Sequence, residues 1–253
     1  MSIKTATING VATIEIARPE KKNSITLAMY QQLADAIDAA QADAAVRALL
    51  ITGQPGIFTS GNDLEDFMQR PPMGDDSPVL RFMRALSGCS KPVIAAVTGA
   101  AVGIGTTMLL HCDLVYVSDE ARLAMPFVAL GLVPEFGSSM LIPQLVGHAK
   151  AAQLLLLGEP FTGSDAVEYG IANAVLPPEE VLPYARRMAE RFNALPAGAV
   201  RDAKRLLRNG GKQAIQQTIA EEAAVFASRL RSPEAQEAFQ AFFQKRKPDF
   251  SKF

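Results

Sequence analysis

Residues 133–139, which read Val-Pro-Glu-Phe-Gly-Ser-Ser, place one carboxylate in an apolar stretch of the chain. Glu135 follows a proline, and Leu132, Val133 and Phe136 flank it. A carboxyl group removed from water keeps its proton to higher pH, so it can act as a base or an acid near neutral pH. We therefore predict that Glu135 is the catalytic residue. A solvated loop glutamate is the alternative that this segment alone leaves open.

Two glycine-rich segments upstream of Glu135 are typical of sites that hold an oxyanion. Residues 58–63 (Phe-Thr-Ser-Gly-Asn-Asp) follow a predicted strand, and Gly61 permits a sharp turn that directs the next backbone N–H, that of Asn62, into a pocket. Residues 99–105 (Gly-Ala-Ala-Val-Gly-Ile-Gly) follow the next strand and open a helix, whose first N–H groups are unpaired. Two such amides can converge on one oxygen, as an oxyanion hole requires.

Other functions of the second glycine segment fit its residues poorly. No Lys-Ser/Thr pair follows Gly105, so the segment does not match a P-loop. The Gly-x-Gly-x-x-Gly pattern of dinucleotide sites is also absent. His111 and His148 lack the spacing to acids that a metal site or a serine triad would show, and His111, among apolar residues, is interpreted as a packed core histidine. We expect no metal.

The elements that must position these segments alternate between strand and helix. Residues 3–17 alternate apolar and polar side chains around Asn9-Gly10, which predicts a β-hairpin. Thr26 predicts the cap of a helix with Tyr30, Leu33, Ala34 and Ile37 on one face. Apolar runs at 47–52, 91–98 and 113–117 predict buried strands, with a loop at 57–63 and a glycine-rich turn at 99–105. Strand, helix and strand at this spacing are typical of crossover units in a largely parallel sheet. A polar, proline-rich stretch at 69–78 predicts a mobile surface segment.

Helical periodicity dominates after Ser138. Thr162 and Asp165 predict a capped helix that stops at Gly170. Four more helices are predicted over residues 182–195, 200–208, 216–230 and 233–245. The apolar positions of this region follow a core that could already be self-contained. They therefore favour contacts between copies of the chain.

Composition limits the possible classes of function. The 253 residues, 49% hydrophobic and 20% charged, suffice for one large α/β domain, and the net charge of −1 gives no basic field for nucleic acid or a membrane surface. The sequence contains no run of eighteen apolar residues, so it predicts no membrane span. Cys89 and Cys112 lack metal or redox spacing, which favours reduced thiols in the cytoplasm. The terminal residues 251–253, Ser-Lys-Phe, differ by one residue from the peroxisomal tripeptide Ser-Lys-Leu, so a peroxisomal location stays open.

Taken in order, these motifs resemble the enoyl-CoA hydratase/isomerase (crotonase) family over nearly the whole chain. Residues 18–23 resemble its early Arg-Pro…Asn loop, and residues 58–63 and 97–105 resemble its two oxyanion loops. Residues 162–177 resemble the helix and strand after the core, and residues 239–247 resemble the C-terminal helix over the CoA. The resemblance implies an α/β fold, a crotonase-like spiral of ββα units with a C-terminal helical region.

The resemblance also implies a domain division, a ligand and an assembly. Residues 1–195 would form the spiral core and residues 196–253 a helical region for trimerisation and CoA capping. Acyl-CoA would be the substrate, so coenzyme A arrives as a thioester and no cofactor is needed. The chain would form homotrimers, or hexamers built as dimers of trimers.

Site residues carried over from the family fall into three groups. The backbone N–H groups of Asn62 and Ile104 would hold the thioester oxygen. The acyl pocket would be lined by Phe127, Leu132, Phe136 and Thr107. The CoA would be contacted by Lys22, Ser60, Asp63, Lys245, Arg246 and Lys247. A solvated helix end is the alternative for the last three, and a brace for the first loop is the alternative for Asp63.

Departures from the family pattern decide the expected activity. Hydratases of the family carry two glutamates that hold and activate water, and the matching residues here, Thr107 and Phe127, cannot act as bases. Glu135 instead matches the single glutamate of some Δ3,Δ2-enoyl-CoA isomerases, which lies in a Pro-Glu-x-x-Ser-Ser context similar to residues 134–139. The resemblance thus implies an isomerase that converts 3-enoyl-CoA to 2-trans-enoyl-CoA through a dienolate.

Three alternatives to the isomerase are open at this point. One is an enoyl-CoA hydratase or another crotonase-family lyase or isomerase. A second, from a different class, is a catalytically silent acyl-CoA-binding protein, which an intact Glu135 beside two oxyanion-type loops disfavours. A third is RNA binding, which the near-neutral charge disfavours.

Overall fold

The computed structural model describes residues 2–70, 74 and 76–253. Strands β1 (Ile3–Ile8) and β2 (Val11–Ile16) form the predicted antiparallel hairpin. Helix α1 (Leu27–Ala42) begins after Thr26, whose side chain accepts a hydrogen bond from the N–H of Met29, as expected for an N-cap. Residues 71–73 and 75 of the stretch predicted to be a mobile surface segment, 69–78, lie outside the described part of the chain.

Three pairs of successive strands build the core, and the two strands of each pair join different sheets. The pairs are β3 (Ala48–Thr52) with β4 (Ile57–Thr59), β5 (Val93–Val97) with β6 (Ala100–Val102), and β7 (Leu114–Ser118) with β8 (Arg122–Ala124). Two later strands are β9 (Phe161–Thr162) and β10 (Ala174–Leu176). The first strand of each pair joins a six-stranded sheet of order β1-β2-β3-β5-β7-β10, and the second joins a four-stranded sheet of order β4-β6-β8-β9. Helices follow each pair, so the chain advances as the implied spiral of ββα units.

The helices after α1 fall into those within the spiral and those that follow it. Within the spiral are α2 (Leu64–Gln69), α3 (Pro78–Gly88), α4 (Ile104–Thr107) and α5 (Ser138–Leu156). After it come α6 (Gly163–Glu168), α7 (Pro178–Glu190), α8 (Ala197–Asn209), α9 (Lys212–Arg229) and α10 (Pro233–Phe243). Single turns of 3₁₀ helix occupy Pro19–Lys21, Met108–His111, Val128–Leu130 and Arg191–Ala194. Among the described residues, no helix is both long and apolar enough to cross a membrane.

The two glycine-rich segments contain more regular structure than their sequences predict. Residues 57–63 were expected to be a loop but begin with β4, and residues 99–105 were expected to be a turn but contain β6. These three-residue strands exist because they pair with each other and with β8, a tertiary effect that no local pattern shows. The helix predicted from Thr106 begins instead at Ile104 and ends as a 3₁₀ turn.

The C-terminal region is held against the core by charged side chains, of which Lys204 is buried. Lys204 and Arg208 on α8 both contact Asp113, with N–O distances of 2.6 and 2.8 Å. Lys204 is 7% exposed and also donates to the carbonyl of Lys91. Removing Asp113 would leave the buried ammonium group of Lys204 without its carboxylate partner. These contacts join α8 to the spiral of the same chain.

Candidate active site

Glu135 lies in the turn that leads into α5 and is 5% exposed. Its Oε1 is fully buried and has no hydrogen-bond partner among the described residues. Burial raises the pKa of this carboxyl group to about 8, and the nearby charge of Glu222 adds a smaller increase. A buried polar atom without a partner is uncommon in native proteins. A carboxyl group with this pKa can take up and return a proton near neutral pH.

The turn around Glu135 is held in an unusual backbone conformation. Phe136 and Gly137 both have left-handed φ angles, 58° and 74°, which reverse the chain just before α5. The Ser138 hydroxyl donates to the carbonyl of Glu135 at 2.7 Å. His111 Nε2 donates to the carbonyl of Phe136 at 2.7 Å, and the two rings stack at 3.9 Å. These contacts fix the direction in which the Glu135 side chain leaves the turn.

His111 belongs to this turn as a structural residue. It is 3% exposed, and burial lowers its pKa to about 4, so the ring is neutral near pH 7. Its Nε2 is committed to the Phe136 carbonyl, which can only accept a hydrogen bond. The interpretation of His111 as a packed histidine agrees with this geometry. The sequence did not indicate that it would pack against the turn that carries Glu135.

A second carboxylate, Glu222 of α9, contacts the same turn. Its Oε2 accepts from the N–H of Gly137 at 2.6 Å, and its Oε1 accepts from the N–H and the hydroxyl of Ser139 at 2.9 and 2.5 Å. The two serines of the segment thus have different partners, because Ser138 bonds within the turn and Ser139 bonds to α9. Sequence reasoning missed Glu222. Its spacing of three and four residues from the apolar Ile219 and Phe226 could have placed it on the buried face of α9.

A cavity of about 630 Å³ opens between α3 and α9 beside Glu135. Its α9 wall is mostly small and apolar and includes Ala220, Ala223, Ala224 and Ala227. Its α3 wall includes Val79, Leu80 and Met83. Glu135 and Phe136 also contribute to the lining. The volume is in the range of small-molecule sites, and the apolar walls suit a flexible hydrocarbon chain.

The two predicted oxyanion amides lie in adjacent loops. Among the described residues, neither the N–H of Asn62 nor that of Ile104 has a hydrogen-bond acceptor. Ile25 pairs with the carbonyl of Gly61 and the N–H of Asp63, so the Asn62 N–H faces away from it. A Cβ added to Gly61 would lie 2.8 Å from the carbonyl oxygen of Val102. The first loop therefore approaches the residues just before Ile104 so closely that only glycine fits.

Tyr30 binds the side chain of Asn62 in the first loop. It is fully buried on α1, and its hydroxyl donates to the side-chain oxygen of Asn62. Burial raises the pKa of Tyr30 well above its usual value, and the charge of Glu135 raises it further. The phenol therefore stays protonated and lies within electrostatic range of Glu135. The sequence predicted Tyr30 only as part of the apolar face of α1.

The predicted acyl-pocket residues separate into two groups. Phe136 lines the cavity, whereas Thr107, Phe127 and Leu132 are buried but are not part of the described lining. Thr107 is fully buried, and its Oγ1 has no partner among the described residues. Phe127 is 4% exposed, and its ring edge would be 3.7 Å from a Cβ added to Gly103. Phe127 thus places an aromatic ring, which cannot act as a base, beside the second glycine loop.

Three of the predicted CoA contacts meet at the first loop. The carbonyl of Lys22 accepts from the N–H of Ser60 at 3.1 Å, and the Lys22 side chain is exposed. Asp63 caps α2 and forms an ion pair with Arg18 at 2.6 Å, so it braces this loop. Both contacts join residues that are far apart in the sequence, so the local sequence does not predict them.

The other predicted CoA contacts lie at the end of α10. Lys245, Arg246 and Lys247 are exposed, and Arg246 is paired with Glu237. Among the described residues, no hydrogen bond or ion pair joins them to Lys22, Ser60 or Asp63. The same part of the chain contains no cluster of three His, Cys, Asp or Glu side chains that could hold a metal ion.

Comparison with known proteins gives a consistent family and mixed activities. A family model described as enoyl-CoA hydratase/isomerase matches residues 6–252. The 2,3-dehydroadipyl-CoA hydratase of Escherichia coli (strain K12) is 31% identical over 95% of this chain and 94% of that protein. Enoyl-CoA delta isomerase 2 of Homo sapiens is 34% identical over 94% of this chain but only 62% of the human protein.

A solved structure agrees with the fold in detail. The structure of Pseudomonas aeruginosa OdaA matches with a TM-score of 0.94 and 54% sequence identity, covering 95% of this chain and 98% of that one. Because the relatives include both hydratases and isomerases, their names do not select one reaction. The choice between the two depends on the side chains around Glu135.

Proposed function

Because this chain belongs to the enoyl-CoA hydratase/isomerase family, we propose that it shifts the double bond of a 3-enoyl-CoA to give the 2-trans-enoyl-CoA. The observation that carries the proposal is the state of Glu135. It is a buried carboxyl group with an unpaired oxygen and a pKa of about 8, and it faces an apolar cavity. Neither Thr107 nor Phe127 supplies a second acid where the family's hydratases carry their glutamates.

One carboxyl group suffices for the proposed proton shift. Ionised Glu135 removes a proton from C2, and the electron pair moves through the thioester carbonyl to form a dienolate. The N–H groups of Asn62 and Ile104 stabilise its oxygen, and one such donor typically lowers the barrier by about 2.7–4 kcal/mol. Glu135 then returns the proton to C4. The double bond ends between C2 and C3, the enzyme recovers its starting state, and no cofactor is required.

The acyl chain is proposed to occupy the cavity between α3 and α9. Its apolar walls would exclude water from the dienolate and so limit stray proton exchange. Hydration would instead require a water molecule held near C3, a base to activate it and an acid to protonate C2. Phe127 fills a position next to the second glycine loop with an aromatic ring, and Glu135 alone cannot perform both roles at once.

The test compares two reactions with one enzyme preparation. We expect conversion of 3-enoyl-CoA to 2-trans-enoyl-CoA, and we expect hydration of crotonyl-CoA to be slower by about 10²-fold or more, the lower end of what one general acid–base group contributes. Absorbance of the conjugated thioester and chromatography of the products measure both. Hydration as fast as isomerisation would make the chain a hydratase despite residues 107 and 127. Tight acyl-CoA binding without either reaction would make it a silent binding protein.

The basic cluster Lys245, Arg246 and Lys247 is proposed to meet the CoA phosphates. Phe239 anchors α10 in the core, so the cluster is held at the end of a fixed helix. Changing Lys245 and Lys247 together to Glu should raise KM for acyl-CoA by roughly two- to five-fold per charge at low salt, with less effect at high salt. Arg246 is left unchanged because it already pairs with Glu237. Lys212→Glu, at the exposed start of α9, is the control, and a KM equal to that of the control would mean that the cluster is solvated surface without a role in binding.

We also propose a homotrimer, or a hexamer of two trimers, and a cytoplasmic location. Leu206 and Leu207 on α8 are 65% and 88% exposed in the single chain. Large apolar side chains exposed side by side are typical of surfaces that contact another protein. Sedimentation at micromolar concentration measures the assembly, and a monomer would contradict the proposal.

A further inference from the structure

Glu222 is a buried acidic residue that contacts the turn of Glu135 but has no role in the proposed reaction. It is 8% exposed and lies on the face of α9 that packs on the core between Ile219 and Phe226. All three of its hydrogen-bond donors belong to the two residues Gly137 and Ser139. Gly137 is the N-cap of α5 and Ser139 is the second residue of that helix, and they follow Glu135 by two and four positions. Glu222 therefore reaches from the C-terminal region of the chain to the turn that carries the proposed acid/base.

The location of Glu222 explains how its charge is tolerated in the interior. Burial raises the pKa of Glu222, whereas its hydrogen bonds from Ser139 and Gly137 lower it. The first N–H groups of α5 have no partners within the helix, and a carboxylate at a helix N-terminus is favoured by the helix dipole. Gly137 and Ser139 supply two of those N–H groups. Glu222 thus caps α5 from another helix, in place of a local side chain.

We infer that Glu222 is a positioning residue for Glu135, holding the turn at residues 135–139 against α9 so that the catalytic carboxyl group faces the cavity. The inference rests on the proposed function, because it takes Glu135 as the proton-transferring group. Three contacts to two residues fix both the distance and the orientation of the turn. The same helix supplies the alanine wall of the cavity. Glu222 therefore aligns the carboxyl group and the acyl site with respect to each other.

The charged and titratable groups around Glu135 come from four elements. Tyr30 of α1 is protonated and lies within electrostatic range of Glu135. His111 is neutral and donates to the carbonyl of Phe136, the residue after Glu135. Arg84 of α3 lines the same cavity, and Glu222 of α9 accepts hydrogen bonds through both of its carboxyl oxygens. The charge of Glu222 raises the pKa of Glu135. Removal of that charge therefore lowers the pKa of Glu135 and extends its basic form to lower pH.

The experiment uses Glu222→Gln, with Glu221→Gln as the matched control on the exposed side of the same helix. In the variant we expect kcat at its high-pH plateau to fall by about 10- to 100-fold, because small displacements of a reacting group are costly. The acid limb of kcat/KM should move to lower pH, while the control should match the wild type in both. If Glu222 only anchored α9, the acid limb of kcat/KM in the variant would stay at its wild-type pH. A folded variant with kcat within about two-fold of wild type and an unmoved limb would overturn the inference.

Ser139→Ala separates position from charge and also covers the case in which Glu222→Gln does not fold. This variant removes one donor but keeps the carboxylate, so we expect a smaller fall in kcat with no shift of the limb to lower pH. An unchanged kcat in Ser139→Ala, together with an unfolded Glu222→Gln, would overturn the positioning role.

A readout independent of activity distinguishes this inference from the proposed reaction. The free energy of unfolding of the wild type and of Glu135→Gln is measured at several pH values. The difference between the two gives the contribution of Glu135. The same difference is then measured in the Glu222→Gln background, where the pH range over which it changes should move to lower pH. The shift would be observed even if the enzyme proved to be a hydratase. A difference that is identical in the two backgrounds would refute the coupling and leave the proposed function untouched.

Discussion

Replacing Glu135 by glutamine is expected to lower kcat for 3-enoyl-CoA isomerisation by about 10²- to 10⁴-fold, the usual contribution of a general acid–base group. Glutamine has nearly the same shape but cannot exchange a proton at neutral pH. The amides of Asn62 and Ile104 belong to other loops, so the thioester should still bind. We therefore expect the dissociation constant for a saturated acyl-CoA, measured by calorimetry, to change little.

Glu120→Gln provides a control for the loss of one negative charge, because Glu120 is exposed between β7 and β8. It should retain wild-type kcat. If Glu135→Gln kept more than about a tenth of wild-type turnover, well short of the expected loss, proton transfer would have to be assigned to another group. A variant that lost binding as well as turnover would indicate a structural role for the carboxyl group, and thermal unfolding at the assay pH would check this.

Local sequence signals predicted the parts of the fold that depend on local chemistry. The hairpin at Asn9-Gly10, the cap at Thr26 and the capping box of Thr162 with Asp165 are all present. Each depends on residues within a few positions of one another. The recognition of the family and its fold is likewise confirmed, because it depended on several such motifs in a fixed order. The strands β4 and β6 were missed because their stability comes from pairing across the small sheet.

The candidate site shows the same division between local and tertiary information. Glu135 could be chosen from its apolar neighbours and its Pro-Glu-x-x-Ser-Ser context. The groups that surround its turn could not, because Tyr30 is 105 positions before it and Glu222 is 87 positions after it in the sequence. The cavity also depends on α3 and α9, which are far apart in the chain. Nothing local in Ser139 distinguishes a hydroxyl that bonds to α9 from one, such as Ser138, that bonds within its own turn.

The stability of the protein should carry a signature of Glu135 in its pH dependence. The ordinary pKa of a glutamate, 4.5, applies to the unfolded chain, and burial raises it to about 8 in the folded protein. Between these two values the folded protein binds a proton that the unfolded chain has lost. Stability from this group is therefore fully present below pH 4.5 and decreases as the pH rises through about 8. The decrease is on the order of a few kcal/mol, since each pKa unit corresponds to about 1.4 kcal/mol.

Glu135→Gln should remove this decrease. The free energy of unfolding of the variant should therefore rise relative to that of the wild type as the pH is raised from 5 to 9. His111 affects a different range: its pKa is lowered to about 4, so it costs stability only as the pH falls below its ordinary value of 6.5. Both proteins contain His111, so its contribution cancels in the difference. Urea unfolding at several pH values measures the two curves, with Glu120→Gln expected to parallel the wild type. Parallel curves for Glu135→Gln would mean that the carboxyl group ionises in the folded protein as it does in water, and Glu135 would then lack the raised pKa that suits it to proton transfer near neutral pH.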